Sequence, residues 1–357
     1  MFLLFASTAG LAFAACSHHE AAPEPKEEII NTQPTAPAAA PAAPTASAAT
    51  TPSPATAISS RLRDLVSGYL VSDGRGGWRK NEKAATELEK LPADETAQLW
   101  PLMNDPLPNV RCGAAVFLLA QFDEANSQQV EAFTALLSDA DAFVRARGLD
   151  AARQFVATDK ILALPKVVAL LDAAHEERPE NRAAAVRMCG AMKKDAREVL
   201  PTIEKAAIAD PDAKVRAAAA TAAAQIAEPQ DVVGVLKNVL TDKDPSVRLV
   251  AAARLRQLGR DAASAAKELS AALADSDKDV AEAAAEALIR MGSPAVEPLA
   301  EQLSSSSLTA RKLALACLAK LGPAAKSAAP RITKCKQDAD SEVRQLAEVA
   351  LKSTGSP

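Results

Sequence analysis

The sequence predicts an all-α chain, a superhelical solenoid of stacked helix pairs preceded by a disordered tether. Three observations carry that expectation. A polar turn running into a Val-Arg pair recurs at near-constant spacing, Gly and Pro punctuate the stretch between copies, and the first 59 residues show no such period.

One unit is complete at Leu321–Ala350, which reads LGPAAKSAAPRITKCKQDADSEVRQLAEVA. Gly322 suits the end of one helix, where a left-handed backbone is needed, and Pro323 the start of the next, where no N–H is required. Asp338 to Ser341 offer side-chain acceptors to the free N–H groups of a second helix opening at Val343-Arg344. The turn recurs as DPLPNVR (Asp105–Arg111), DADAFVR (Asp139–Arg145), DPDAKVR (Asp210–Arg216) and DKDPSVR (Asp242–Arg248). Weaker copies are RPENR (Arg178–Arg182), DSDKDVA (Asp275–Ala281) and SLTAR (Ser307–Arg311). From Arg111 through Arg145, Arg182, Arg216, Arg248, Ala281 and Arg311 to Arg344 the steps are 34, 37, 34, 32, 33, 30 and 33 residues. That period marks helix pairs that bury their apolar faces only against neighbouring copies.

These residues resemble the short HEAT repeats, also called PBS-lyase-like HEAT repeats, from about Ser60 to the C-terminus. The likeness is strongest at LGRDAASAAKELSAALADSDKDV (Leu258–Val280) and LGPAAKSAAPRI (Leu321–Ile332). The resemblance implies a fold more than an activity, because this family mostly holds partners.

Taken in order, residues 1–15 (MFLLFASTAGLAFAA) are apolar, end in small residues and are too short to span a bilayer, as in an export signal. Phe13-Ala14-Ala15-Cys16 is similar to the lipobox of bacterial lipoproteins, which implies cleavage and lipidation at Cys16. Residues 16–59 carry a Pro every few positions and no apolar period, so they are expected to stay solvated as a linker. His18 and His19 on that linker are not read as metal ligands. The solenoid is assigned to residues 60–357.

Leu62, Leu65, Val66, Tyr69 and Leu70 share one side of a first helix over Ile58–Val71, with a second helix expected over Trp78–Leu91 beyond the SDGRGG break. This irregular opening fits a terminal cap. Ala93–Met103 is then the first helix of the next unit. The later first helices are expected at Ser127–Leu137, Lys160–Leu171, Ala196–Ala207, Asp231–Leu240, Ala262–Ala274, Ala295–Leu303 and Ala324–Lys336. Pro165, Pro201, Pro298 and Pro330 fall within four of them. Either each kinks a continuous helix, or each starts a helix behind an extended lead-in.

Arg111, Arg145, Arg182, Arg216, Arg248, Arg311 and Arg344 are expected to reach an Asp of their own or the adjacent turn, forming a ladder along the stack. Ala281 and SLTAR should interrupt it and leave the stack loosest there. In the resembling family the second helices line the concave face. The second and sixth residues after the Val are expected to face outward there, giving Val116, Asp150, Arg187, Thr221, Leu249, Glu282, Glu286 and Lys312 as candidate binding residues. That row is small and apolar at its centre and suits a peptide or protein segment.

Net charge is −4, of which residues 1–59 hold −3, so the repeat body lacks the basic footprint of a nucleic-acid binder. No catalytic residue, metal site or cofactor is expected. The chain has three His, and one His-Glu pair in the repeats, His175-Glu176, cannot build the centre of a HEAT-fold di-iron hydroxylase. Cys112, Cys189, Cys317 and Cys335 follow no zinc spacing, and only Cys317 and Cys335 are candidates for a disulfide.

The expected function is a cell-envelope scaffold lipoprotein that binds a protein or peptide partner. It would be held to the membrane by its N-terminal lipid, in the outer membrane facing the periplasm. A secreted or soluble periplasmic protein is the alternative location. The alternative function is a PBS-lyase-like enzyme or a maturation factor for a chromophore or cofactor protein.

Overall fold

A computed structural model describes residues 59–72, 78–121, 127–155, 164–172 and 174–355. All lie in one compact unit, Ala57–Pro357. The signal, Cys16 and nearly all of the linker fall outside the described residues.

The order begins α1 (Ser60–Ser67), β1 (Leu70–Ser72), β2 (Trp78–Lys80), α2 (Glu82–Glu89), α3 (Ala93–Ala97), α4 (Pro108–Ala120), α5 (Ser127–Ala135), α6 (Ala142–Phe155) and α7 (Leu164–Ala169). It continues α8 (Pro179–Met192), α9 (Leu200–Ala209), α10 (Ala213–Ile226), α11 (Pro229–Val239), α12 (Pro245–Leu258) and α13 (Ala266–Ala271). The last elements are α14 (Lys278–Met291), α15 (Val296–Gln302), α16 (Leu308–Leu321), α17 (Ala329–Cys335) and α18 (Ser341–Thr354).

The second helices of the pairs are α1, α4, α6, α8, α10, α12, α14, α16 and α18, and each packs on the next, forming one continuous layer. First helices stack as the other layer, α9 on α11 and α13 on α15 among them. The Val of each turn points into the core, since Val110, Val144, Val215, Val247, Val280 and Val343 are all fully buried. Ala fills the close crossings. At Gly113 on α4 even a Cβ would come within 2.3 Å of the Val66 carbonyl oxygen on α1.

The opening differs from the expected helix pair. Leu70–Ser72 and Trp78–Lys80 pair as an antiparallel hairpin, and helix resumes only at Glu82. Leu62-Arg63 on α1 occupies the Val-Arg position, so α1 is itself a second helix. The hairpin is an insertion before the next first helix.

Pro201, Pro298 and Pro330 resolve in favour of helix starts, with 3-10 turns rather than extended chain leading in. The residues leading to Pro165 lie outside the described ones. Pro201 and Pro330 sit in the first turn of α9 and α17, behind 3-10 segments Lys193–Val199 and Gly322–Ala328. Pro298 is the third residue of α15, again behind a short 3-10 turn, Ser293–Ala295. First-turn N–H groups have no intrahelical acceptor, so Pro there forfeits no bond and the alternative of a mid-helix kink is set aside at these three positions.

Candidate functional site

The D-x-D turns divide two tasks between their carboxylates. The second Asp caps the following helix: Asp212 Oδ1 accepts from Lys214 N at 2.8 Å and Val215 N at 3.2 Å, and Asp340 and Asp277 do likewise for α18 and α14. The first Asp accepts the N–H of the second, as Asp242 does from Asp244 at 2.8 Å. Its remaining oxygen capacity goes to an arginine of the preceding unit.

That arginine reaches forward. Arg216 Nε and Nη2 donate to Asp242 at 2.7 and 2.8 Å, while Nη1 donates to the Asp210 and Pro211 carbonyls of its own turn at 3.0 and 3.1 Å. The same fork joins Arg111 to Asp139, Arg182 to Asp210 and Arg248 to Asp275. Each guanidinium thus ties two units together and closes a turn.

Burial is deepest mid-stack, where Arg182 and Asp210 are each 3% exposed. Burial alone would raise the Asp242 and Asp275 carboxyls. Hydrogen bonds from Arg216 and Arg248 and from the turn N–H groups outweigh it and hold both below their ordinary value.

One rung, at Arg63, escaped the sequence reading, and the expected rung at Arg145 takes a Glu in place of the expected Asp. Arg63 binds Asp105 at 2.6 and 2.9 Å, and Arg145 binds Glu176 at 2.6 and 3.1 Å. Glu176 is fully buried and also accepts from Asn181 at 3.0 Å and from Arg178 N at 3.0 Å. His175 beside it is exposed and faces Asp172, so the two side chains point apart.

The interruption is half of what was expected. Ala281 makes no rung, but Arg311 still meets Asp338, with Nη2 donating at 3.2 Å and Nε 3.0 Å from Oδ2 but off the hydrogen-bond direction. Packing is not opened there. Cys317 Sγ on α16 lies 3.6 Å from the Ala285 carbonyl of α14, and both helices feed one core. Among the described residues Arg344 binds only the Asp338 and Ala339 carbonyls of its own turn, at 2.8 and 2.9 Å.

The eight candidate binding residues lie on seven successive second helices. Val116, Thr221 and Leu249 are half-buried and Arg187 is exposed. Several of the charges are already engaged. Asp150 pairs with Arg147 at 3.0 Å and Glu282 with Lys278 at 3.5 Å, each within one helix. Glu286 crosses to Arg256 on α12, and Lys312 crosses to Glu342 and, at 3.4 Å, to Asp340 of α18. Thr221 accepts from Arg254 Nη2 at 3.4 Å. Lys312 is therefore a strap between units rather than a free cation.

An open concavity of about 610 Å³ runs across the last turns of α12, α14 and α16, lined by Arg256, Gln257, Glu286, Ile289, Arg290 and Lys320. Apart from Glu286, these were missed. They sit nine or ten residues after the Val, beyond the two positions read, although basic residues closing successive second helices were visible in the sequence. The four described cysteines are buried free thiols, and Cys317 and Cys335 are not bridged. Among the described residues no group of three or more His, Cys, Asp or Glu is placed to hold a metal, and no helix is long and apolar enough to cross a membrane.

Two layers of paired helices, joined turn to turn by Arg–carboxylate forks, define an α-solenoid. The family model for HEAT repeats matches residues 167–256, 200–288 and 266–352, together just over half of the sequence, and the chain belongs to the HEAT-repeat family. Among solved structures it is similar to the karyopherin Kap121p bound to the extreme C-terminus of the protein phosphatase Cdc14p. The TM-score is 0.58 at 14% identity, covering 83% of this chain and 38% of that one. Kap121p bound to Pho4p gives 0.56 at 14% identity, covering 75% and 34%. The X-ray structure of YIBA_ECOLI aligns at 20% identity with a TM-score of 0.44, covering 78% and 98%. At such identities the likeness is one of fold. No curated protein matches the sequence.

Proposed function

We propose that this HEAT-repeat chain is a cell-envelope lipoprotein scaffold, holding a protein or peptide partner on its second-helix face and performing no chemistry itself. The observation that carries this reading is the unbroken layer from α1 to α18, whose outward positions stay partly open after the ladder is formed. At the centre of that layer Ala217, Thr221, Leu249 and Ala253 are half-buried and small or apolar, a surface suited to an extended or helical segment. Kap121p, a related stack of helices, is bound to the extreme C-terminus of Cdc14p in one structure and to Pho4p in another, which agrees with such use.

The anchor rests on Phe13-Ala14-Ala15-Cys16 and the Pro-rich spacer behind it. Cys16→Ala is expected to release the protein from membranes; unchanged partitioning overturns the anchor. For the partner, a photo-cross-linking residue at Thr221 on α10 is compared in intact cells with one at Asn238 on α11. A single recurrent adduct at Thr221 and none at Asn238 supports the scaffold, and the reverse pattern moves binding to the first-helix layer.

A further inference from the structure

We infer that the concavity across α12, α14 and α16 receives an acidic peptide segment, whose carboxylates sit on Arg290 and Lys320. The inference rests on the reading of the second-helix layer as a binding face and names the chemistry of what binds there.

Three cations and one carboxylate line this concavity. Arg256 and Glu286 face each other across α12 and α14 and neutralise one another. Arg290 and Lys320 are both exposed, and neither makes an ion pair or hydrogen bond among the described residues. Each closes the last turn of its helix, where the helix dipole favours a cation. That preference explains a basic residue at a helix end. It does not require two of them, on adjacent helices, to line one concavity with no acid to answer them.

The half-buried side chain of Ile289 lines the same concavity and supplies apolar surface. Arg290 offers a planar fork that a carboxylate accepts from in bidentate fashion, and Lys320 a mobile point charge. A segment carrying both acidic and apolar residues matches this lining. A nucleic acid matches it poorly. Phosphate backbones are held by many cations in succession, whereas two are uncompensated here and the repeat body carries a net −1.

The test is fluorescence anisotropy of the purified protein with a labelled Glu/Leu peptide, its Gln/Leu counterpart and a labelled single-stranded oligonucleotide. The Glu/Leu peptide is expected to bind and to weaken as salt rises. Arg290→Gln with Lys320→Gln should weaken it about tenfold or more. Glu286→Gln, by freeing Arg256, should tighten it, and Lys334→Gln on α17 should leave it unchanged. All four positions are exposed, and circular dichroism checks that the fold is kept.

Equal binding of the Gln/Leu peptide, no loss in the double variant, or preference for the oligonucleotide would each overturn the inference. The Thr221 cross-link reads the scaffold separately. An adduct there with a groove blind to charge removes this inference alone. Acid-selective binding without an adduct keeps the groove chemistry and removes the scaffold.

Discussion

Ala281 and Ser305 are complementary replacements. Ala281 stands on α14 where the other second helices carry the ladder arginine. Ser305, in the turn of the next unit, stands where that arginine would find its carboxylate. Losing both together leaves neither a buried guanidinium nor a buried carboxylate unmatched, so the junction stays packed around an Ala281 that is 1% exposed. Installing the rung as Ala281→Arg with Ser305→Asp should reveal the pairing. Ala281→Arg alone is expected to destabilise, Ser305→Asp alone to change little, and the pair to show a favourable coupling of about 1–3 kcal/mol in a double-mutant cycle. Additive effects would mean that the geometry of this junction no longer admits a rung.

The buried rungs tie stability to acid pH. Asp242, Asp275 and Glu176 have carboxyls held below their ordinary values of 3.8, 3.8 and 4.5. The unfolded chain therefore takes up more protons in that range, and stability rises with pH through it. The contribution is complete above the unfolded values and is lost as pH falls through about 4 toward the depressed folded ones. Asp242→Asn should cost about 3–5 kcal/mol at neutral pH, because Arg216 is left buried without its counter-charge. It should also flatten the slope of stability against pH below about 4. Urea unfolding across a pH series, with hydrogen exchange to localise the loss, checks both.

Backbone conformation supplies a stabilising change. Gly259, Gly292 and Gly322 end their second helices at φ of 57°, 82° and 58° with ψ near −118°, −137° and −131°. Lys193 adopts φ 52° and ψ −129° at the same point of α8. That region is strained for any residue with a Cβ, at about 1–3 kcal/mol. Lys193→Gly should therefore raise stability by about 1 kcal/mol, and Gly234→Ala, with nothing within 4 Å of the new methyl, by a similar or smaller amount. Gly113→Ala should do the reverse. Thermal unfolding of the three variants sorts them, and a gain from Gly113→Ala would refute the close crossing of α4 on α1.

The buried thiols report opening. Burial pushes Cys112, Cys189 and Cys317 up to about 12, so almost no thiolate is present at neutral pH and access is closed. Native protein with Cys16 replaced is expected to resist thiol reagents until local unfolding exposes each site. Rapid labelling of Cys317 in native buffer would show that the α14–α16 junction opens readily, as the missing rung at Ala281 first suggested.

Much of the architecture was legible because one short phrase performs the same physical task in every unit. Val must be buried and Arg must bridge, so both recur. Arg63 was hidden because Leu62 replaces Val and the hairpin stretches the following step. Glu176 was hidden because one more methylene changed the acid, and its neighbour His175 invited another comparison. The hairpin could not be foreseen from SDGRGG, which fits an interrupted helix equally well. Asp150 and Glu282 have partners one helical turn away that the spacing already allowed, whereas Lys312 looked available until its neighbours on α18 showed it engaged. For the groove, the basic last turns were visible, but their convergence depends on how three helices lie side by side.

The forward reach of each arginine gives the stack a direction. Every standard junction consumes one donor from the earlier unit and one acceptor from the later, so gaining or losing a whole unit leaves no charge stranded. A cut within a unit does strand one. Arg344 meets no acid among the described residues and closes only its own turn. The length of surface offered to a partner can thus change in increments of one helix pair, with no redesign of what holds the pairs together.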